Sequence, residues 1–491
     1  MNGARSMGMF VGIFTIIATW VDGGQLNGTA EVIAKSGFIW CQAPLGYAVS
    51  LLFGGFLFAG RMWRAGYVTM LDPLHEAFGD VMVALLFLPA LLGEIFWVGA
   101  IMNALGATVS VMTGLHTTMA IIVSSVVAVL YTITGGLYSV AYTDIVELVC
   151  IFVGMWACIP FALTNEHVDP ITSTSKDWIG TISAADVPSY IDNYLLFIFG
   201  GIPWQDYFQR VLSSKSVLRA QVLSYVGCLG TIIMTIPPVI IGMVARSARW
   251  NETDIDIDPL DESSLILPLV LQYLTPSYIS FLGMGAVAAA VMSSADSCLL
   301  SCASMFTRNI YTTIIHKNAS DRETTWVLRL TVIAVAMGST ALGITIDSVY
   351  ALWTLSSDLV YVILFPQLVA VVYFRTYSNG WGSLAAYVTG FALRVLGGEP
   401  ALSLPAVIKY PNYDEDSLAQ RFPFKTMAML ASFVVLIAVS ALTRNYEGPA
   451  NCCACLSGSS VEVSNGDVRH FEEEEYSTPG AFKNRAFQKE E

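Results

Sequence analysis

Two stretches decide the reading of this chain: Ile16-Ile17-Ala18-Thr19-Trp20-Val21-Asp22-Gly23-Gly24-Gln25-Leu26-Asn27-Gly28 and Phe199-Gly200-Gly201-Ile202-Pro203-Trp204-Gln205-Asp206-Tyr207. Each would continue as an apolar helix if Gly, Pro and an acid did not occupy its centre. Backbone that leaves the helix at membrane depth is tolerated only where protein buries it or where it lines a cavity. A pair of such interruptions, one in each half of a hydrophobic chain, points to the substrate site of a secondary transporter.

The surrounding composition agrees. Of 491 residues, 55% are hydrophobic and only 13% charged, against about 25% charged in soluble domains. About twelve spans of helical length follow, near 7–34, 37–60, 80–106, 118–135, 142–164, 190–211, 216–245, 277–312, 325–346, 349–374, 380–397 and 423–443. Leu265–Leu274 is too short to cross a membrane and is expected to pack outside the bundle. The interrupted spans are the first and the sixth, so spans one to five (about 7–165) and six to ten (about 190–375) form two sets of five. An odd-numbered repeat must be inverted relative to its copy, which puts the site at mid-membrane between repeats. The expected fold is thus an all-α membrane protein: a 5+5 inverted repeat, two additional helices, a membrane domain over 1–445 and a disordered cytoplasmic tail over 446–491.

Lys and Arg set the orientation. Arg61, Arg64, Arg210, Lys215, Arg219, Arg308, Lys317, Arg322 and Arg375 follow spans two, six, eight and ten, while Asp254, Asp256, Asp258, Asp261 and Glu262 follow span seven. The positive-inside rule places both termini in the cytoplasm. Asn251-Glu252-Thr253, on the expected outer side, is a glycosylation acceptor at Asn251. Cys452, Cys453 and Cys455 follow the last span directly, a placement that suits palmitoylation as well as it suits free thiols. The net charge of −14 comes largely from acidic loops and tail and does not point to nucleic acid.

Trp20, Tyr47, Trp97 and Trp204 lie toward the middle of their spans, whereas membrane tryptophans normally gather at the interfaces. One such ring alone more often fills a core. Two at paired breaks favour an aromatic cage, which attracts a desolvated cation by about 2 kcal/mol or more and suits quaternary ammonium. The run Ala290-Val291-Met292-Ser293-Ser294-Ala295-Asp296-Ser297 offers hydroxyls that could join the carbonyls of Ala18 and Val21 around sodium; packing of small residues is the competing explanation. Asp144 is placed to face Asp296 and Ser297 as a second cation site. Glu31, Glu94, Glu147 and Asp358 are further acids, assigned no substrate role. No P-loop, metal-ligand histidine spacing or nucleophile–base set provides for ATP hydrolysis or covalent catalysis, so no enzyme activity is expected.

These residues resemble the sodium/solute symporter family, most strongly its choline-carrying members. The matching stretches include Thr19-Trp20-Val21, Asn27-Gly28-Thr29-Ala30-Glu31, Gly135-Gly136-Leu137-Tyr138-Ser139-Val140-Ala141-Tyr142-Thr143-Asp144, Gly200-Gly201-Ile202-Pro203-Trp204-Gln205, Val291-Met292-Ser293-Ser294-Ala295-Asp296-Ser297 and Gly397-Gly398-Glu399-Pro400. The resemblance implies a LeuT-type core and alternating access. It implies choline import driven by Na+ and dependent on Cl−, at the plasma membrane of presynaptic terminals and their vesicles, for acetylcholine synthesis. It assigns Trp20, Tyr47, Trp97 and Trp204 to the trimethylammonium group, Ala18, Val21, Ala290, Ser293 and Ser294 to sodium, and Asp144, Asp296 and Ser297 to a second sodium. Membrane lipid is the expected surrounding, and homo-oligomers are compatible with it.

Three features differ from the family pattern. The chain opens almost at the first break, so the family's extra N-terminal helix is expected to be absent. Asp22 and Gln25 stand where the family has Gly and Tyr, and Asp206 where it has a small residue. Carboxylates at 22 and 206 would add negative charge beside the cage and are counted with the substrate-binding residues. A symporter for another amine, a sugar or a vitamin, or a choline-binding membrane protein that does not transport, remain alternatives at this stage.

Overall fold

A computed structural model describes residues 5, 7–253, 255, 259–260, 262–415 and 418–444, without the side chains of 135–142. Among the described residues the chain is helical, with isolated bridges but no strands. The helices used below are α1 (Met9–Trp20), α2 (Thr29–Ser36), α3 (Ala43–Phe53), α4 (Asp80–Thr113), α5 (Thr117–Leu163), α6 (Val187–Gly200), α7 (Gln205–Leu212), α8 (Val217–Ser247), α9 (Ser277–Met305), α10 (Asp321–Thr345), α11 (Val349–Ser356), α12 (Phe365–Tyr373), α13 (Gly380–Leu396) and α14 (Phe424–Leu442). Nine helical segments of the described residues are long and apolar enough to cross a membrane, ten when the bent pair at the N-terminal end counts as one.

Both interruptions are present. After Trp20 the chain leaves the α-helix at Val21 (φ −90°, ψ 81°). It resumes as a π-turn over Gly24–Gly28 before α2, and the axis bends by 52°. In the second, α6 ends at Gly200 and α7 begins at Gln205, with Trp204 extended at the helix start (φ −113°, ψ 136°). Pro203 has no N–H to offer the preceding turn. A broken helix leaves carbonyls without partners. The Trp204 indole supplies one, donating from Nε1 to the Gly200 carbonyl at 2.8 Å.

All twelve expected segments are helical, with one difference in connection. Spans four and five are joined in a single helical element of 47 residues, α5. It does not run straight: the Tyr131 hydroxyl donates to Thr143 Oγ1 at 3.3 Å, whereas twelve residues of straight helix would hold them about 18 Å apart. Its halves Thr117–Thr134 and Thr143–Leu163 each qualify as a span. The chain therefore folds back between residues 131 and 143, which leaves the two halves as separate spans. The segment Ile266–Tyr273 is a short helix, but residues 266–271 are buried, and Ile266, Leu267, Val270 and Leu271 join the main core rather than lying outside the bundle, because six successive apolar residues leave it no polar face there.

The core lies around the broken helices. The Val349–Tyr373 segment is 83% enclosed, while Asp321–Thr345 and Phe424–Leu442 are only 28% enclosed and present apolar faces outward. The outer pair α13 and α14 meets through Gly382, Gly390, Ser432 and Ser440, small residues that let membrane helices approach closely.

Candidate functional site

The two breaks meet. Trp20 packs edge-on against Trp97 of α4 (centroids 5.9 Å apart) and against Tyr207 of α7 (6.2 Å). Trp97 in turn packs edge-on against Trp204 at 4.8 Å. Trp20, Tyr47, Trp97 and Trp204 line one small cavity of about 10 Å³, together with Gly201, Trp353 and Ser356. That is space for about one water. A trimethylammonium group fits only when the Trp97 and Trp204 rings part.

Close approach of backbones makes the cage. A Cβ on Gly93 would stand 2.8 Å from the Ser356 carbonyl and 3.3 Å from the Trp204 ring. A Cβ on Gly24 would stand 2.8 Å from the Trp353 ring. Tyr47 is fixed by its hydroxyl, which bonds the Trp353 carbonyl at 3.0 Å and Ser357 Oγ at 2.7 Å. Trp353 is the aromatic wall that the sequence reading missed. It stands near the start of its span, one turn before Ser356 and Ser357, where a membrane tryptophan ordinarily reads as an interface residue.

The two extra carboxylates do not line the cavity. Asp22 lies behind Trp97, accepting its indole N–H at Oδ2 and the Gln25 backbone N–H at Oδ1 (2.7 Å). It therefore caps the resumed helix and orients a cage ring. Gln25 reaches the other way, to the Thr231 carbonyl at 3.1 Å and Thr235 Oγ1 at 2.8 Å on α8. Asp206 points into α9, accepting from Ser301 Oγ at 2.9 Å, with Arg210 at 3.8 Å.

The hydroxyl-rich stretch of α9 faces α1. Ser294 Oγ donates to the carbonyls of Ala18 and Thr19, both at 3.3 Å. Those oxygens lie at the frayed end of α1, where intrahelical partners run out. Val21 is the first residue out of the helix, and Ala290 is buried one turn earlier on α9. Ser293 Oγ instead donates to Asp144 Oδ1 at 2.6 Å, and Thr15 Oγ1 donates to Oδ2. Ser297 Oγ accepts from Arg210 at 2.8 Å.

Asp296 is buried, and neither carboxylate oxygen has a hydrogen-bond partner among the described residues. An ion left so costs several kcal/mol. A cation beside Asp144 and Asp296 removes that cost, so the oxygen-rich donor set fits Na+.

Elsewhere, Asn251 is exposed in the loop after α8. Cys452, Cys453 and Cys455 lie outside the described residues. Glu31 is a structural tie, accepting from Ser348 Oγ (2.5 Å), Ser263 Oγ (3.2 Å) and the Tyr350 N–H (3.2 Å).

Known proteins share this arrangement. The sequence profile of the sodium:solute symporter family matches residues 1–390. The high-affinity choline transporter 1 of Drosophila melanogaster is 57% identical over 447 residues, covering 90% of this chain and 73% of the relative. The human high affinity choline transporter 1 is 50% identical over 456 residues, covering 90% and 78%. The substrate-bound, outward-open structure of a Na+-coupled sialic acid symporter superposes with a TM-score of 0.70 at 16% identity, covering 90% of this chain and 91% of that one. That likeness extends the shared fold to a distant sequence. With two helices broken at one aromatic cavity and a family profile spanning most of its length, this chain belongs to the sodium:solute symporter family.

Proposed function

We propose that this chain is a sodium-coupled choline symporter working by alternating access. The observation that carries the reading is the cage itself, four tryptophans and a tyrosine around one void between two broken helices. Ring faces attract a cation without neutralising it, which suits a permanent charge that cannot be handed a proton. The names of the relatives support choline as that cation.

Sodium is the co-substrate. Ser293, Ser294 and the carbonyls of Ala18 and Val21, with Ala290, would hold one ion; Asp144, Asp296 and Ser297 would hold a second. Ala18 lies two residues from Trp20, so an ion that organises the end of α1 also sets the position of a cage wall. Sodium would thus assemble the site that choline enters, and loss of sodium would loosen it. Both solutes are cations, and each charge moving inward gains about 2.3 kcal/mol per 100 mV. Accumulation then needs no ATP.

The family resemblance adds dependence on chloride, residence at the plasma membrane of presynaptic terminals and their vesicles, and supply of choline for acetylcholine synthesis. Cytoplasmic termini and an Asn251 glycan outside complete the proposal. The test is uptake of radiolabelled choline by expressing cells, with sodium present or replaced by N-methyl-D-glucamine. Saturable uptake that disappears without sodium supports the reading. Equal uptake in both media contradicts it.

A further inference from the structure

Next to the cage, Glu94 of α4, Asp206 of α7 and Cys298 of α9 bring one oxygen or sulfur atom each to within 4.8 Å of one another. Glu94 is 1% exposed, and Asp206 and Cys298 are 0% exposed. Glu94 Oε2 and Asp206 Oδ2 receive no N–H or hydroxyl donor among the described residues; the two carboxyls meet each other instead, as a pair that must share a proton. The nearby guanidinium does not answer both. Arg210 donates to the Asp206 carbonyl (3.0 Å), Ser297 Oγ (2.8 Å) and Thr15 Oγ1 (3.4 Å), and it approaches only Oδ1 of Asp206. Two buried carboxyls thus share one guanidinium and one proton, and a metal ion would take the place of that proton.

We propose that Glu94, Asp206 and Cys298 form a binding site for a borderline-soft divalent metal ion, such as Zn2+ or Cd2+, that locks the carrier. The donor set decides the class of ion. Sodium, magnesium and calcium take oxygen ligands, whereas a thiolate beside carboxylates selects zinc-like ions. Three protein ligands leave a fourth coordination position for water. Metal–ligand bonds of about 2.0–2.3 Å place tetrahedral ligands about 3.5 Å apart, so the three groups close in slightly on binding. A metal–sulfur bond forms, and the Cys298 thiol proton and the proton between the two carboxyls leave to water. The divalent charge together with Arg210 then balances three anionic ligands.

The position gives the consequence. Asp206 stands two residues after Trp204 on the resumed half of a broken helix, and Glu94 one turn before Trp97 on a continuous one. A metal bridging them ties the two cage walls that must part for choline.

The test uses the purified full-length protein with Co2+ as probe. A thiolate-to-cobalt charge-transfer band is expected. Cys298→Ser should remove that part of it which Cys302→Ser, a buried control one turn further along, leaves in place. In cells, Cd2+ should inhibit sodium-dependent choline uptake, with the half-inhibitory concentration raised at least tenfold by Cys298→Ser and by Glu94→Gln but not by Cys302→Ser. A cobalt spectrum identical in wild type and Cys298→Ser overturns the site, whether or not the protein carries choline. Cadmium inhibition unchanged by Cys298→Ser overturns the lock. A proton retained between Glu94 and Asp206 would give the first of these results.

Discussion

Trp97 has two jobs at once: its ring faces Trp20 and Trp204, and its N–H is held by Asp22. A hydrogen bond to an ionised group contributes about 1.5–3 kcal/mol, enough to hold one ring orientation against others. Asp22→Gly is therefore expected to raise the KM for choline about tenfold while the preference for choline over primary amines stays unchanged. Measured competition by primary amines checks this; a shift in their favour would put the carboxylate inside the cage. Asp296→Asn removes a buried charge that lacks a partner. It is expected to raise the sodium concentration for half-maximal uptake several-fold, with surface expression retained. An unchanged sodium dependence would take Asp296 out of the ion site.

Among the elements, the breaks were legible in the sequence because Gly23 and Gly24 beside Asp22, and Gly200 and Gly201 beside Pro203, cluster residues that weaken a helix within apolar spans. The convergence of their tryptophans followed from the repeat. Other features were not legible. Trp353 reaches the cage only through the close packing of α11 on Gly24, a contact with no local signature. The directions of Asp22 and Asp206 depend on side-chain partners, the Trp97 indole and Ser301, that lie far away in sequence. The packing of α4 on α11 gives a test at this scale. Gly93→Ala forces a methyl group against the Ser356 carbonyl, and overpacking of this kind costs about 1–3 kcal/mol. Lower thermal stability and loss of most choline uptake are expected. Wild-type behaviour on both measures would mean that the helices are not in the contact described.

In the whole molecule, polar ties hold one end of the bundle. At one end Glu76 pairs with Arg375 at 2.8 Å and accepts the Tyr67 hydroxyl at 2.6 Å, and Asp72 receives Arg308 (3.5 Å) and Asn309 (3.1 Å). The Arg375 contact, with Tyr67 second, holds the Glu76 carboxyl below its ordinary value of 4.5. A lowered carboxylate stabilises the fold above that value and stops doing so as pH falls through the lower one. Changing the pH at this end between 6 and 8 should thus leave this tie intact, whereas Glu76→Gln should weaken it and alter uptake at every pH in that range. If Glu76→Gln and wild type have the same uptake, the tie plays no part in closure. At the opposite end, Asn251→Gln should abolish a glycosidase-sensitive mobility shift if the loop after α8 faces outward.

The central claim is that ring faces hold a permanent positive charge, and it is tested most directly by removing that charge without changing its shape. Sodium-dependent uptake of radiolabelled choline can be competed by unlabelled choline and by its neutral isostere, 3,3-dimethylbutan-1-ol. A cation–π gain of about 2 kcal/mol corresponds to about thirtyfold in affinity, so the isostere should need at least thirty times the concentration for the same inhibition. Equal competition by the two compounds would contradict the account, because the site would then be reading size and not charge.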